Sequence, residues 1–291
     1  MQAKRVVFPH RLLPALLVAP QLAVTAVFFL WPAAEALWQS TLREDAFGLK
    51  STFVGLANFR DLFADPDYLV VIGTTLVFSF AVAGLSLALG LAAAALADRA
   101  RKGALLYQTL FVWPYAVAPA VAGVIFLYLF EPSLGPLARA VGPAWNHKLI
   151  GWQALSMVVM AASWKQVAYD FLFFLAALQS IPRSLMEAAE IDAAGPFRRF
   201  FTVSLPLIAP TGFFLLVVNL IYAFFETFGV IHATTLGGPG LSTTTMVFRV
   251  FRDGFIDQRL GASAAESVVL LLVVAALTVV QFRFVERKVH Y

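Results

Sequence analysis

Six long apolar runs divide this chain, roughly Leu12–Trp31, Leu69–Ala97, Ala104–Phe130, Ala154–Leu178, Leu207–Ile231 and Ala264–Phe284. Each offers about the 20 residues a helix needs to cross a bilayer, so the pattern predicts six spans with both ends of the chain on one side. The stretch between the first two runs, Ser40–Asp67, is polar, and its five acids (Glu44, Asp45, Asp61, Asp65, Asp67) outnumber its three bases. Proline interrupts several runs: Pro114 and Pro119 in the third, Pro206 and Pro210 at the start of the fifth. Each removes a helical hydrogen bond, so kinks are expected there, with neighbouring helices or water taking the freed carbonyls. Gly84, Ser86 and Gly90 in the second run are small enough for close helix approach. The first run follows a basic leader, and Ala34-Glu35-Ala36 resembles a cleavage site. It exceeds the ~7–15 residues of a signal-peptide core, and an uncleaved first span is expected. No internal repeat or flexible linker breaks residues 1–291, which read as a single domain.

Composition agrees with this pattern. Hydrophobic residues make up 60% of the chain and charged residues only 13%, against about 25% charged in soluble domains. An integral membrane protein is the class that fits. The net charge of +4 reflects bases at membrane borders and gives no ground for nucleic-acid binding. Those bases also orient the chain. Lys4, Arg5 and Arg11, then Arg99, Arg101 and Lys102, then Arg283, Arg287 and Lys288 lie in very short segments. By the positive-inside rule these face the cytoplasm, and with them both termini and the segment after Leu178. Cysteine is absent, which excludes disulfides and thiolate metal sites. The chain has no phosphate-binding Gly-x-x-x-x-Gly-Lys-Ser/Thr loop and no His-Glu-x-x-His. His10, His147, His232 and His290 are scattered. No catalytic set, metal site or cofactor is expected, and the chain reads as a non-enzyme.

One charged segment lies between the fourth and fifth runs. Glu187–Pro206 reads EAAEIDAAGPFRRFFTVSLP, preceded by Arg183. Its alanines and glutamates favour helix, and Gly195-Pro196 forces a turn. A second short helical run, Phe197–Ser204, exposes Phe197, Phe200 and Phe201 on one side, and Pro206 opens the next span. The expected form is a helix-turn-helix at the membrane surface, about 179–206, continuous with the spans on either side.

The order Glu187-Ala188-Ala189, a small residue at Ala193, then Val203-x-Leu205-Pro206 resembles the EAA loop of binding-protein-dependent ABC importer permeases. That family has Gly at the position of Ala193 and usually Ile at that of Val203. Gly195 is therefore expected to supply the backbone freedom that Ala193 resists. Thr235-Leu236-Gly237-Gly238-Pro239 after Phe224-Phe225-Glu226 looks like the outer end of the penultimate span in carbohydrate-type members. Trp164-Lys165-Gln166, Asp170–Ser184 and Ser263–Leu270 resemble the first permease subunit of sn-glycerol-3-phosphate importers. The resemblance implies an all-α, polytopic bundle of six transmembrane helices with a cytoplasmic coupling helix-turn-helix, in a bacterial inner membrane. It implies coupling through Glu187, Ala188, Ala189, Ala193, Gly195, Leu205 and Pro206 to a separate ATPase dimer, which would hydrolyse the ATP. A second permease subunit, a periplasmic solute-binding protein, membrane lipid and a small-molecule substrate complete the implied partners. Rival readings are a sugar or oligosaccharide importer and, from another class, a non-transport scaffold or intramembrane enzyme.

Lys165 is the one Lys or Arg deep in an apolar run, about 17 Å from the entry of its span at Ala154. An ammonium at that depth is expected to face the bundle interior with a partner. Asp170 and Glu226 are the candidate partners, and Tyr169, four residues on, shares the face of Lys165. These four residues are the candidate substrate pathway, with a structural ion pair as the other reading.

Overall fold

The computed structural model describes residues 12–45, 50–98, 104–191 and 195–285. The basic clusters at 1–11, 99–103 and 286–291, and Ala193, one of the residues expected to couple to an ATPase, lie outside them. The elements group into two compact units, Met1–Ala64 with Asp253–Val269, and Asp65–Arg252 with Leu270–Tyr291.

In the first unit, α1 (Leu12–Thr25), a π turn (Ala26–Leu30) and α2 (Trp31–Gln39) follow without a break. Together they make an apolar helix over Pro14–Gln39, longer than the run that predicted it. Its side chains turn outward: Leu16, Leu22, Phe28, Phe29 and Trp31 are all exposed, which suits lipid or another chain. The polar stretch that follows holds a small hairpin, β1 (Leu42–Glu44) paired antiparallel with β2 (Ser51–Phe53), and then α3 (Ala57–Ala64). Asn58 ties these together, its side-chain amide donating to the carbonyls of Ser40 (2.8 Å) and Leu42 (2.7 Å). Gly261 is required here, because a Cβ would stand 2.1 Å from the Leu42 carbonyl.

The second unit holds the bundle. Its helices are α4 (Pro66–Asp98), α5 (Ala104–Val112), α6 (Pro119–Leu129), α7 (Pro136–Val141) and α8 (Gly151–Gln179), then α9 (Arg183–Ile191) and α10 (Pro196–Arg199), then α11 (Leu205–Phe225), α12 (Phe228–Thr234) and α13 (Met246–Phe251). The last helix, α14 (Leu260–Val285), divides between the units. Around α8 the rest is arranged: 61% of its most apolar stretch is buried, against 39% for α4 and for α11. Phe78 and Val82 of α4, Met157, Val158, Ala161 and Ala162 of α8, Ala223 of α11 and Val230 and Ile231 of α12 form one core. Ala93, Ala94, Phe171, Phe174, Leu175, Ile208 and Leu215 form a second.

Two predicted spans are corrected. The third is a broken helix: α5 passes into a tight turn at Trp113–Ala116, the chain extends at Val117 and Ala118, and α6 leaves at 107°. Pro119, lacking an N–H, opens α6 where that loss costs nothing. Among the described residues, counting that bent pair as one span gives six, and without it five helices are long and apolar enough to cross a membrane. The fifth span ends at Phe225 rather than Ile231, because the helix breaks at Glu226 and Thr227 before α12. Past that break, Gly237 is a position only glycine fits: its φ is +86°, and a Cβ would meet Thr244 Oγ1 at 2.5 Å.

Candidate functional site

Lys165 lies halfway along α8, about 21 Å from the helix start at Gly151, and is buried. Its ammonium donates to the carbonyl of Val117, at the break between α5 and α6. That carbonyl is free because the chain is extended there and no continuing helix supplies a donor. Among the described residues no carboxylate pairs with Lys165 within 4 Å. The partner foreseen as Asp170 or Glu226 is thus a backbone oxygen, and Lys165 joins the helix break to the centre of the bundle.

Beside it opens a cleft of about 460 Å³ lined by Tyr115, Pro119, Lys165, Gln166, Val218, Ile221, Tyr222 and Glu226. The breaks in both interrupted helices meet here: Pro119 starts α6, and Glu226 ends α11, its N–H bonded to the Tyr222 carbonyl at 2.8 Å. Lys165 and Glu226, singled out from sequence, therefore share one cavity without touching. Tyr169 adjoins it, stacked on Tyr115 at 5.9 Å between ring centroids. From Tyr169 the aromatic row continues to Phe173 (4.6 Å) and Phe214 (5.7 Å), with Phe173 and Phe214 exposed. Lys165, Tyr169 and Phe173 follow one another four residues apart, so they form one stripe of α8. Sequence reasoning missed Gln166, Tyr115 and Tyr222 as site residues. A polar Gln beside the intramembrane Lys was a usable signal, as was Tyr222 four residues before Glu226 on one helix face. Tyr115 had none, since only the broken helix brings it there.

Asp170 does not line the cleft, which corrects its place among the pathway residues. It is fully buried, and both carboxyl oxygens accept from the Asn219 amide, at 3.1 and 2.8 Å. Five residues from Lys165, it points about 140° away around the helix, towards α4 and α11. Gly90 makes room for it: a Cβ on Gly90 would lie 2.5 Å from that of Asp170. Tyr222 adds a second link between α8 and α11, its hydroxyl donating to the Ala162 carbonyl at 3.3 Å. Outside the spans, His147 is buried in the segment before α8. Burial pushes its pKa down, Lys148 adds to this, and Glu131 opposes it.

The charged segment folds as two arms. α9 carries Glu187 and Ala188 exposed and Ala189 half-buried. Past 192–194, α10 runs through a π turn at Phe200–Ser204 straight into α11. The Leu205 N–H reaches back five residues to the Phe200 carbonyl, and Pro206 follows without an N–H to continue the regular ladder. Leu205 is half-buried and Pro206 exposed. The Arg199 guanidinium pairs with Glu190 and so ties the arms together. Behind them lies a cavity of about 290 Å³ lined by Ala95, Asp98, Leu178, Met186 and Ser204 among others. Leu185, Ile191, Phe197 and Phe201 face outward from the arms.

Gly195 does not have the role expected of it. Its φ of −62° and ψ of 161° are open to any residue, and a Cβ there meets nothing within 4 Å. Pro196 at the first position of α10 starts the second arm. Gly195→Ala is therefore expected to change stability by no more than about 0.5 kcal/mol. Thermal unfolding of the purified chain checks this, and a loss above about 1 kcal/mol would show that glycine is needed there.

Comparison with known proteins accords with this geometry. The family model described as binding-protein-dependent transport system inner membrane component matches residues 86–291. The sn-glycerol-3-phosphate transport system permease protein of Yersinia pseudotuberculosis serotype I is 58% identical over 294 residues, covering 100% of both chains. Its counterpart in Brucella abortus biovar 1 is 55% identical over 291 residues, covering 99% of each. In fold, the chain is similar to a bacterial ABC transporter involved in the import of the acidic polysaccharide alginate, with a TM-score of 0.80 at 21% identity over 96% of each chain. The MetNI methionine ABC transporter matches less fully, with a TM-score of 0.55 at 17% identity over 76% of this chain. With the family model matched over residues 86–291 and relatives identical at more than half of all positions, the chain belongs to the binding-protein-dependent transport system inner membrane component family.

Proposed function

We propose that this chain is the first permease subunit of an ATP-driven importer of sn-glycerol-3-phosphate. The observation that carries this is end-to-end identity of 55–58% with permeases named for that substrate. The chain supplies half of a pathway along the Lys165 cleft and its aromatic row. A second permease subunit faces that row, and a periplasmic binding protein delivers substrate from outside. On the cytoplasmic side a separate ATPase dimer docks on the arms. Exposed Leu185, Ile191, Phe197 and Phe201 give that docking an apolar surface, and Glu187 and Ala188 lie beside it. The crowding of Lys and Arg into short segments supports cytoplasmic termini. ATP-driven closure of the dimer moves the arms, and the π turn passes that motion directly to α11.

The test is reconstitution of this chain with its partner permease, ATPase and binding protein in proteoliposomes. Stimulation of ATP hydrolysis and uptake by sn-glycerol-3-phosphate, in preference to a panel of sugars and oligosaccharides, is the expected result. Stimulation by a sugar and not by the phosphate ester would overturn the substrate.

A further inference from the structure

Gln166 carries an observation that the proposed transport role does not explain. It is 4% exposed, yet its amide makes no hydrogen bond among the described residues. Its polar atoms are not sealed in protein, for they are absent from the enclosed unpaired groups, and the residue lines the Lys165 cleft. A buried amide is normally satisfied by protein; this one is left facing the cavity.

Hydrogen-bonding capacity then sorts the cleft into two ends. Lys165 is a donor only, and it uses one of its three N–H groups on Val117. The Glu226 carboxylate offers acceptors. Gln166, beside Lys165 in sequence, can donate and accept. Tyr222 is occupied, since its hydroxyl bonds the Ala162 carbonyl. A phosphate monoester dianion offers only acceptors, so it is drawn to Lys165 and repelled by Glu226. Alcohol hydroxyls, which donate and accept, match Glu226 and Gln166. Val218 and Ile221 leave an apolar wall for the carbons between.

We infer that the cleft is a bipolar site for the phosphate monoester of a small polyol, held in one orientation. Lys165 takes the phosphate, while Gln166 and Glu226 take the hydroxyls and discriminate the polyol from other phosphate esters. This rests on the importer reading above and assigns the residues that would give it specificity.

The experiment is calorimetric binding of sn-glycerol-3-phosphate and of methyl phosphate to the detergent-solubilised complex of both permeases and the ATPase, without binding protein. Wild type is expected to bind the polyol ester roughly tenfold more tightly. Lys165→Met is expected to weaken both ligands, and Lys165→Arg to restore them in part. Gln166→Leu is expected to remove the preference by weakening the polyol ester alone. Glu226→Gln is expected to strengthen methyl phosphate, because repulsion of its phosphate is lost. Basal ATP hydrolysis and co-purification of the partners establish that each variant complex is assembled. Equal weakening of both ligands by Gln166→Leu, no effect of Lys165→Met, or a wild type without preference each overturns the assignment. A wild-type complex that takes up no sn-glycerol-3-phosphate overturns the importer reading and this site with it. Normal wild-type uptake with unseparated variants overturns the site alone.

Discussion

Glu187→Lys is expected to leave the chain in the membrane and lower coupled uptake by roughly two orders of magnitude. Glu187 is exposed on α9 and makes no ion pair or hydrogen bond among the described residues, so none of those contacts is broken by the change. The arms are held instead by Arg199 and Glu190, which it leaves alone. The effect is expected to pass through a partner. A charge reversed within a docking surface sets like charges together, at a cost of several kcal/mol. Uptake in cells, read beside co-purification of the ATPase with the tagged permease, separates lost docking from lost insertion. A variant complex that assembles and imports at the wild-type rate would remove Glu187 from the coupling contact.

The second large effect is expected at a site with no place in the pathway. Asn219→Leu leaves the Asp170 carboxyl in the bundle interior without its donor, and the expected loss is about 1–3 kcal/mol. The reason is asymmetry. Asp170 and Asn219 are both wholly buried, so the pair adds little compared with apolar side chains of similar size, while half of it leaves a buried polar group unsatisfied. Asp170→Leu combined with Asn219→Leu is accordingly expected to recover most of that loss, within the space that Gly90 permits. Thermal unfolding of the four proteins in detergent gives the double-mutant cycle. If Asn219→Leu alone unfolded at the wild-type temperature, the pair would have no part in joining α8 to α11.

The helical form of the charged segment and the spans were legible for the same reason. Both are local: an apolar run long enough to cross a bilayer needs no knowledge of its neighbours, and a charged stretch between two such runs has to leave the hydrocarbon. The order of Glu187-Ala188-Ala189 and Leu205-Pro206 lies within a single short segment, so it too can be read along the chain. Proline at 114, 119 and 206 marked where the helical ladder is disturbed. It did not say how, because the same residue opens a helix at Pro119 and is carried inside an unbroken α11 at Pro210. Gly195 shows the opposite limit. Glycine permits a special backbone without requiring one, and only the dihedral angles reveal that this position uses none.

By itself, then, the sequence determined the membrane class, the rough limits of most spans, the charged arms, and Lys165 as an intramembrane cation in need of a partner. The tertiary structure decided who that partner is. The Val117 carbonyl is 48 residues away and is free only because the third span breaks there. Asp170 finds Asn219 at a separation of 49 residues, and so turns from pathway candidate to helix tie. Hydropathy reports the burial each residue requires, whereas pairing depends on which helix faces which, and that is set by packing between segments remote in the chain.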